Sequence, residues 1–230
     1  MTHIKPHFAL KVRFLWLDSY IKIGESYMDK RIITVSRQFG SGGRTIAQEV
    51  AKKLGIPCYD GLIIAEVAKK SGLSEEFIRE NEEYASHSSS FLYQIAMSTM
   101  GGQHGYPSVY QKLYDAQTRV IEEITEREEC VIVGRCADYI LRNRTDCLHV
   151  FIHADNEHRS SRILEQYGPT DKTTEQRIKE KDDKRRNYYR FHTDREWGMC
   201  SNYNLSLDSG LLGISKCVDL IVSAARDIKS

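Results

Sequence analysis

Ile33-Thr-Val-Ser-Arg-Gln-Phe-Gly-Ser-Gly-Gly-Arg-Thr45 is the stretch on which the fold turns. A short β-branched run, Ile33 to Val35, leads into a glycine-rich turn, and a helical pattern begins at Thr45. Glycines let successive backbone N–H groups face one anion, and the helix that follows offers its positive N-terminus to the same point. Against the phosphate-loop pattern G-x-x-x-x-G-K-[ST], Gly43 and Thr45 match, while Gln38 stands at the first glycine and Arg44 at the lysine. The candidate phosphate-binding residues are Gly40, Ser41, Gly42, Gly43, Arg44 and Thr45, and the Thr45 hydroxyl is the candidate ligand of a Mg²⁺ bridging two phosphates. Arginine keeps the charge of the usual lysine but replaces a compact ammonium with a planar fork.

A chain of 230 residues with 40% hydrophobic and 28% charged content can bury one substantial core. Its net charge of +1 gives no global field toward nucleic acid or an anionic membrane, so neither is expected as a partner. Six cysteines without C-x-x-C spacing read as free thiols in a reducing cytoplasm rather than disulfides or zinc ligands. Residues 1–30 differ in character from the rest. Two readings stand there: Met28 as the functional start, or an amphipathic helix packing on the body.

Outward from the glycine turn, strand and helix patterns alternate, which predicts a parallel sheet covered by helices. Ile46, Val50, Ala51 and Leu54 share a helical face, stopped by Gly55-Ile56-Pro57. Cys58-Tyr59 reads as a short strand ending at Asp60; helical patterns follow over 61–71 and from Ser74, and 85–107 reads as irregular. Val109 to Ile124 is an amphipathic helix. Cys130 to Val133 and Leu148 to Ile152 are buried strands, Leu205 to Asp208 a last strand, and Ile214 to Ile228 a terminal helix. His149 and His153 lie on one strand face without a third ligand and read as core or surface groups. Arg159 and Arg162, three apart on a helix, read as surface charges, with lining of the lid as the lesser alternative, and Tyr106, Tyr110 and Tyr114 as a packing stripe.

From Arg177 to Arg190, seven basic residues face three acidic ones. Three readings stand: a solvated helix face, a nucleic-acid surface using Tyr188 and Tyr189, or a mobile lid whose arginines close over phosphates.

The glycine turn, a strand ending Gly134-Arg135, the charged Glu180-Lys-Asp-Asp-Lys184 segment and a last strand ending Leu-Asp-Ser209 come in the order found in cytidylate kinases. The chain most resembles their cytidylate-kinase-like branch, whose loop reads S-R-x-[FY]-G-S-G-G-R. Ser36 to Arg44 match that string throughout. The resemblance covers residues 31–228. It implies an α/β P-loop NTPase fold with a parallel sheet flanked by helices, a monophosphate-binding region and a helical lid at about 167–200. It also implies ATP as donor, Mg²⁺ as metal and small-molecule nucleotides as partners.

The match is partial at the acceptor. The family's lid string E-R-D-D-R-D-R-N-R becomes Glu180-Lys-Asp-Asp-Lys-Arg-Arg-Asn-Tyr188, its G-R-D becomes Gly134-Arg135-Cys136, and the aspartate expected before that glycine is Val133. After the second strand D-S-G-A-I-Y-R becomes Asp60-Gly-Leu-Ile-Ile-Ala-Glu66. The resemblance thus implies Arg44, Arg186 and Lys181 as catalytic cations and Asp60, Arg135, Asp183 and Arg185 on the substrate side. The expected activity is phosphoryl transfer from ATP to CMP or dCMP. A kinase of the same fold with another small acceptor, or a nucleotide-binding regulatory protein, are the alternatives.

Overall fold

A computed structural model of the chain describes residues 31–60, 70 and 109–227, and the expectations for 1–30, 61–69 and 71–108 lie outside the described residues. Among the described residues five strands form one parallel sheet: β1 (Ile32–Arg37), β2 (Cys58–Tyr59), β3 (Cys130–Val133), β4 (Cys147–His153) and β5 (Leu205–Asp208). Their order is β2-β3-β1-β4-β5, every pair parallel. The flanking helices are α1 (Gly43–Leu54), α2 (Val109–Arg127), the short α3 (Ala137–Ile140), α4 (Asn156–Tyr167), α5 (Thr174–Thr193) and α6 (Ser209–Asp227).

Alternation along β1 sends Ile33 and Val35 to one face and Ile32 to the other, because strand side chains repeat every two residues. On the first face they meet Ile46 and Val50 of α1 and Val218, Ile221 and Ala225 of α6. On the second, Ile32, Cys130 and Ile132 meet Val120, Ile121 and Ile124 of α2. With both faces covered, β3 reads as a continuous apolar run and β4 as one interrupted by His149, the form expected of a doubly buried parallel strand. Helix α1 begins at Gly43, two residues earlier than the sequence pattern suggests. It ends where Gly55 turns left-handed, its N–H bonding back toward Ala51 and Lys52 carbonyls.

His149 belongs to this core rather than to a metal site. It is buried, its Nδ1 lies 2.8 Å from Thr34 Oγ1, and no group of three or more possible metal-holding side chains occurs among the described residues. Burial lowers its pKa from the usual 6.5 to about 4, with the Arg195 charge acting in the same direction. A folded-state value below the unfolded one means the native state binds fewer protons, so stability is complete above pH 6.5 and lost as pH falls toward 4. Urea titration is expected to show about 2 kcal/mol less stability at pH 5 than at pH 7 from this group. His149→Phe should flatten that slope.

Helix α5 carries little apolar periodicity, yet it is well capped. Thr173 Oγ1 accepts from Gln176 N–H at 3.2 Å while Gln176 Oε1 accepts from Thr173 N–H at 3.0 Å, a reciprocal capping box. Thr173→Ala is expected to cost about 1 kcal/mol, read as a fall in Tm of about 2–4 °C. No helix among the described residues is long and apolar enough to cross a membrane.

Candidate active site

The chain leaves β1, crosses to β2 and β3 on one side, then passes to β4 on the other. The carboxyl end of β1 therefore opens into a crevice, the place where open α/β sheets bind ligands. The glycine loop fills it. Gly42, at φ 76°, is the left-handed N-cap of α1. A Cβ built on Gly40 would stand 2.8 Å from the Arg159 carbonyl, so the loop lies against α4 with no room for a side chain. Ile46 N–H donates to Gly42 O at 2.9 Å, and the first-turn N–H groups of Gly43, Arg44 and Thr45 ahead of it point out of the helix end. This cradle fits the phosphates of a nucleotide.

The two positions that depart from the general pattern both have structural work. Gln38 N–H donates to Ile152 O at 2.9 Å and its Oε1 accepts from Ala154 N–H at 3.2 Å, tying the loop to β4. Arg44 Nε lies 2.7 Å from Asp60 Oδ2, with Arg37 Nη2 3.9 Å from the other oxygen of that carboxylate. Ser41 Oγ donates to Gln38 O at 2.9 Å. Ser209 Oγ, at the head of α6, lies 2.6 Å from Ser41 O.

The largest anchor comes from the charged helices. Phe39 N–H donates to Asp182 Oδ1 at 2.7 Å, and Arg159 Nε donates to Phe39 O at 2.7 Å. Arg159 and Asp182 also form a buried ion pair with each other. Arg159 is thus no surface charge, contrary to the sequence expectation: the peptide before the loop takes one hydrogen bond from α4 and gives one to α5. Arg185 Nη1 adds a bond to Arg37 O at 2.9 Å. Charge on one helix face is satisfied by the backbone of the loop.

In front of the loop lies a cavity of about 590 Å³, walled by Arg37, Arg44, Thr45, Asp60, Arg162 and Arg185 together with the loop itself. A smaller one of about 60 Å³, behind Arg37 and Arg185, is lined by Ser36, Arg135, Tyr188 and Trp197. Burial lowers the pKa of Arg37, Arg135 and Arg185, that of Arg185 to about 9, and neighbouring guanidiniums add to the effect at each. Among the described residues, Asp60 and Asp182 are the carboxylates that act against this mutual depression at Arg37 and Arg185. A third cavity of about 440 Å³ runs from Gly40 and Ser41 between α4 and the head of α6, with His158, Arg162 and Ile214 in its wall.

Of the residues singled out from sequence, the loop, Asp60 and Arg185 come together in the main cavity, and Arg135 lies next door. Lys181, Asp183 and Arg186 do not line it. Asp183 pairs with Lys179 and Arg186 on the outer side of α5, and Arg186 borders a hollow beside His153 and Trp197. The structure adds two residues the sequence reading did not place, Arg37 and Asp138, and brings Arg159 and Arg162 from the expected surface to the loop. Only their charge near loop or strand ends could have marked them. Asp138 is buried, accepts from Tyr189 OH at 2.7 Å and Ser36 Oγ at 3.2 Å, and supplies a carboxylate two residues beyond Cys136. Burial raises its pKa, against the pull of those hydrogen bonds.

Gly134, Arg135 and Cys136 all have positive φ, of 74°, 63° and 53°. Two successive non-glycine residues in the left-handed region store strain, and Gln117 Nε2 holds the turn by donating to Arg135 O at 2.9 Å. Gln117 Oε1 in turn lies 3.4 Å from Tyr188 OH, so the residue standing in the place of the lid arginine braces the Arg135 turn.

The metal expectation rests on Thr45 Oγ1. A single hydroxyl beside a phosphate cradle fits Mg²⁺ carried in by a nucleotide, since that ion keeps its waters and phosphate oxygens and takes one or two protein ligands.

Residues 32–211 match the profile of the cytidylate kinase-like family. The chain is 31% identical over 200 residues to a cytidylate kinase of Archaeoglobus fulgidus, an overlap of 84% of this chain and 94% of that one. Among solved structures, an uncharacterized protein from Eubacterium ventriosum superposes with a TM-score of 0.65 at 25% identity, covering 86% of this chain and 99% of that chain. A shikimate kinase from Bacteroides thetaiotaomicron superposes at 0.51 with 11% identity, covering 85% and 98%, a likeness of fold alone. The architecture is the P-loop kinase fold.

Proposed function

The chain belongs to the cytidylate kinase-like family, and from that premise we propose that it transfers the γ-phosphoryl group of ATP to a nucleoside monophosphate, CMP or dCMP. The observation that carries the reading is the cluster of guanidinium at the loop: Arg37, Arg44, Arg162 and Arg185 wall a single cavity, with Asp60 as the one carboxylate among its described lining residues. Two phosphorylated ligands meeting head to head call for a cluster of positive charge of this kind.

The N–H groups of Gly40 to Thr45 hold the donor phosphates, Arg44 reaches the β- and γ-phosphates, and the cavity between α4 and α6 takes the donor base. Arg185 faces the transferring group from α5, with Lys181 and Arg186 further along that helix adding charge to the closing lid. Asp60 and Arg135 face the acceptor, whereas Asp183 is held on the outer side of α5 by Lys179 and Arg186. Thr45 Oγ1 would hold Mg²⁺, which when bound neutralises charge on the bridging phosphate oxygens. No strong base is required, because positioning and charge stabilisation account for most of this reaction. The buried free thiols suit a reducing cytoplasm.

A second reading keeps the kinase and changes the acceptor. Cys136 and Tyr188 stand where the family string has a carboxylate and an arginine, and a shikimate kinase shares the fold. A coupled ADP-release assay over nucleoside monophosphates, with shikimate and gluconate beside them, tests both. Turnover with CMP or dCMP is expected. Turnover with a non-nucleotide acceptor alone supports the second reading, and nucleotide binding with no turnover on any acceptor defeats the kinase assignment.

A further inference from the structure

Arg162 is the cation of this site whose bonding is incomplete. Its Nη2 donates to Thr45 Oγ1 at 2.9 Å, while its Nε is buried without a hydrogen-bond partner. Among the described residues no carboxylate lies within ion-pair distance of it, whereas Arg44 has Asp60, and Arg159 and Arg185 have Asp182. It also stands in the wall shared by the main cavity and the one between α4 and α6, and a Cβ on Gly42 would lie 3.1 Å from its Nε. A half-buried guanidinium with a desolvated, unmatched donor beside a phosphate loop is built to meet an anion.

Its one hydrogen bond among the described residues is to the hydroxyl expected to hold the metal. That oxygen has two lone pairs, and a guanidinium on one with a dication on the other places like charges within a few ångströms in a partly dry cavity. They cannot both be favourable there.

We propose that Arg162 is a built-in counter-cation that holds the metal's place on Thr45, so that Arg162 and Mg²⁺ compete for that hydroxyl. This rests on the donor reading given above. Without nucleotide, Arg162 keeps Thr45 in its rotamer. When nucleotide arrives without metal, the guanidinium turns its unmatched donor to the phosphate oxygens and neutralises part of their charge. When metal arrives too, Arg162 yields Thr45 and bonds to phosphate alone. The consequence is a nucleotide site that depends only weakly on magnesium.

Titration calorimetry of ADP, once with Mg²⁺ and once with EDTA, measures that dependence as the ratio of the two Kd values, with no turnover involved. In Arg162→Met, which keeps a stem of similar reach without charge, metal-free binding should weaken and the ratio should rise about tenfold, a typical size for coupling between two ligands. Arg162→Lys, which keeps a charge but loses the fork, should fall between. Adding Thr45→Val to Arg162→Met should abolish the gain, because the contested oxygen is gone. ADP binding by the unaltered protein with ratios equal within twofold across these variants overturns the inference and leaves the donor reading standing. Absence of ADP binding in either buffer by the unaltered protein overturns the donor reading, and the inference with it.

Discussion

Arg185→Met is expected to lower kcat about 10³-fold with ADP affinity changed only a few-fold. Arg185 walls both the main cavity and the small one beside Arg135, and its guanidinium lies 5.9 Å from the centre of the Phe39 ring. Burial and the adjacent Arg37 charge lower its pKa to about 9, which still leaves it charged at neutral pH. A cation already desolvated and already beside another cation gains most when negative charge develops in front of it. Arginines in that role contribute about 10³–10⁵ to phosphoryl transfer. The lower end applies here because Arg37 and Arg44 remain. Methionine keeps the stem over Phe39, so packing is retained. Arg186→Met is the contrast: that side chain is exposed and paired with Asp183, and its loss should change kcat less than tenfold. Equal losses in the two variants would show that α5 turns its other side to the substrate during transfer.

Asp182→Ala is expected to be the most destabilising single change on α5. It removes the partner of Arg159, which is only 4% exposed, and the acceptor of Phe39 N–H together. Breaking a buried pair by deleting one member leaves an uncompensated charge and costs about 3–5 kcal/mol. In a domain of this size that lowers Tm by roughly 10 °C, measurable by circular dichroism. Asp182→Asn, which still accepts from Phe39 N–H, should lose less. Because the Phe39 peptide sets the start of the cradle, donor affinity should fall in Asp182→Ala even well below its melting temperature. A Tm within 3 °C of the parent would mean that Arg159 finds another partner and that the anchor is dispensable.

The parts of the fold legible in sequence were those with a strong period or a local constraint. Ile33 to Val35 followed by glycines announced strand, turn and phosphate cradle, and the apolar runs at 130–133 and 148–152 announced buried parallel strands. The match of Ser36 to Arg44 to one family's string marks the glycine loop from local sequence alone. Helix α5 shows the opposite case. Its packing face, Ile178, Asp182, Arg185, Tyr189 and Thr193, is mostly polar, so hydrophobic periodicity marks it only as charged. Neither Asp182 nor Arg159 carries any local sign that it is buried, because each is buried by the other, 23 residues away.

What the sequence determined by itself was therefore the scaffold and the glycine loop, since both depend on neighbours close along the chain: alternation, glycine φ, helix start. Which cations line the main cavity was decided only by tertiary structure. Arg159 and Arg162 sit on the same turn of α4, yet one is consumed by Asp182 and Phe39 while the other reaches Thr45 with a donor to spare. Arg185 and Arg186 are adjacent, yet one faces the loop and the other an outer hollow. Successive helix residues point about 100° apart. The assignment of each charge thus follows from how α4 and α5 are rotated against β1, and that rotation is set by long-range hydrogen bonds.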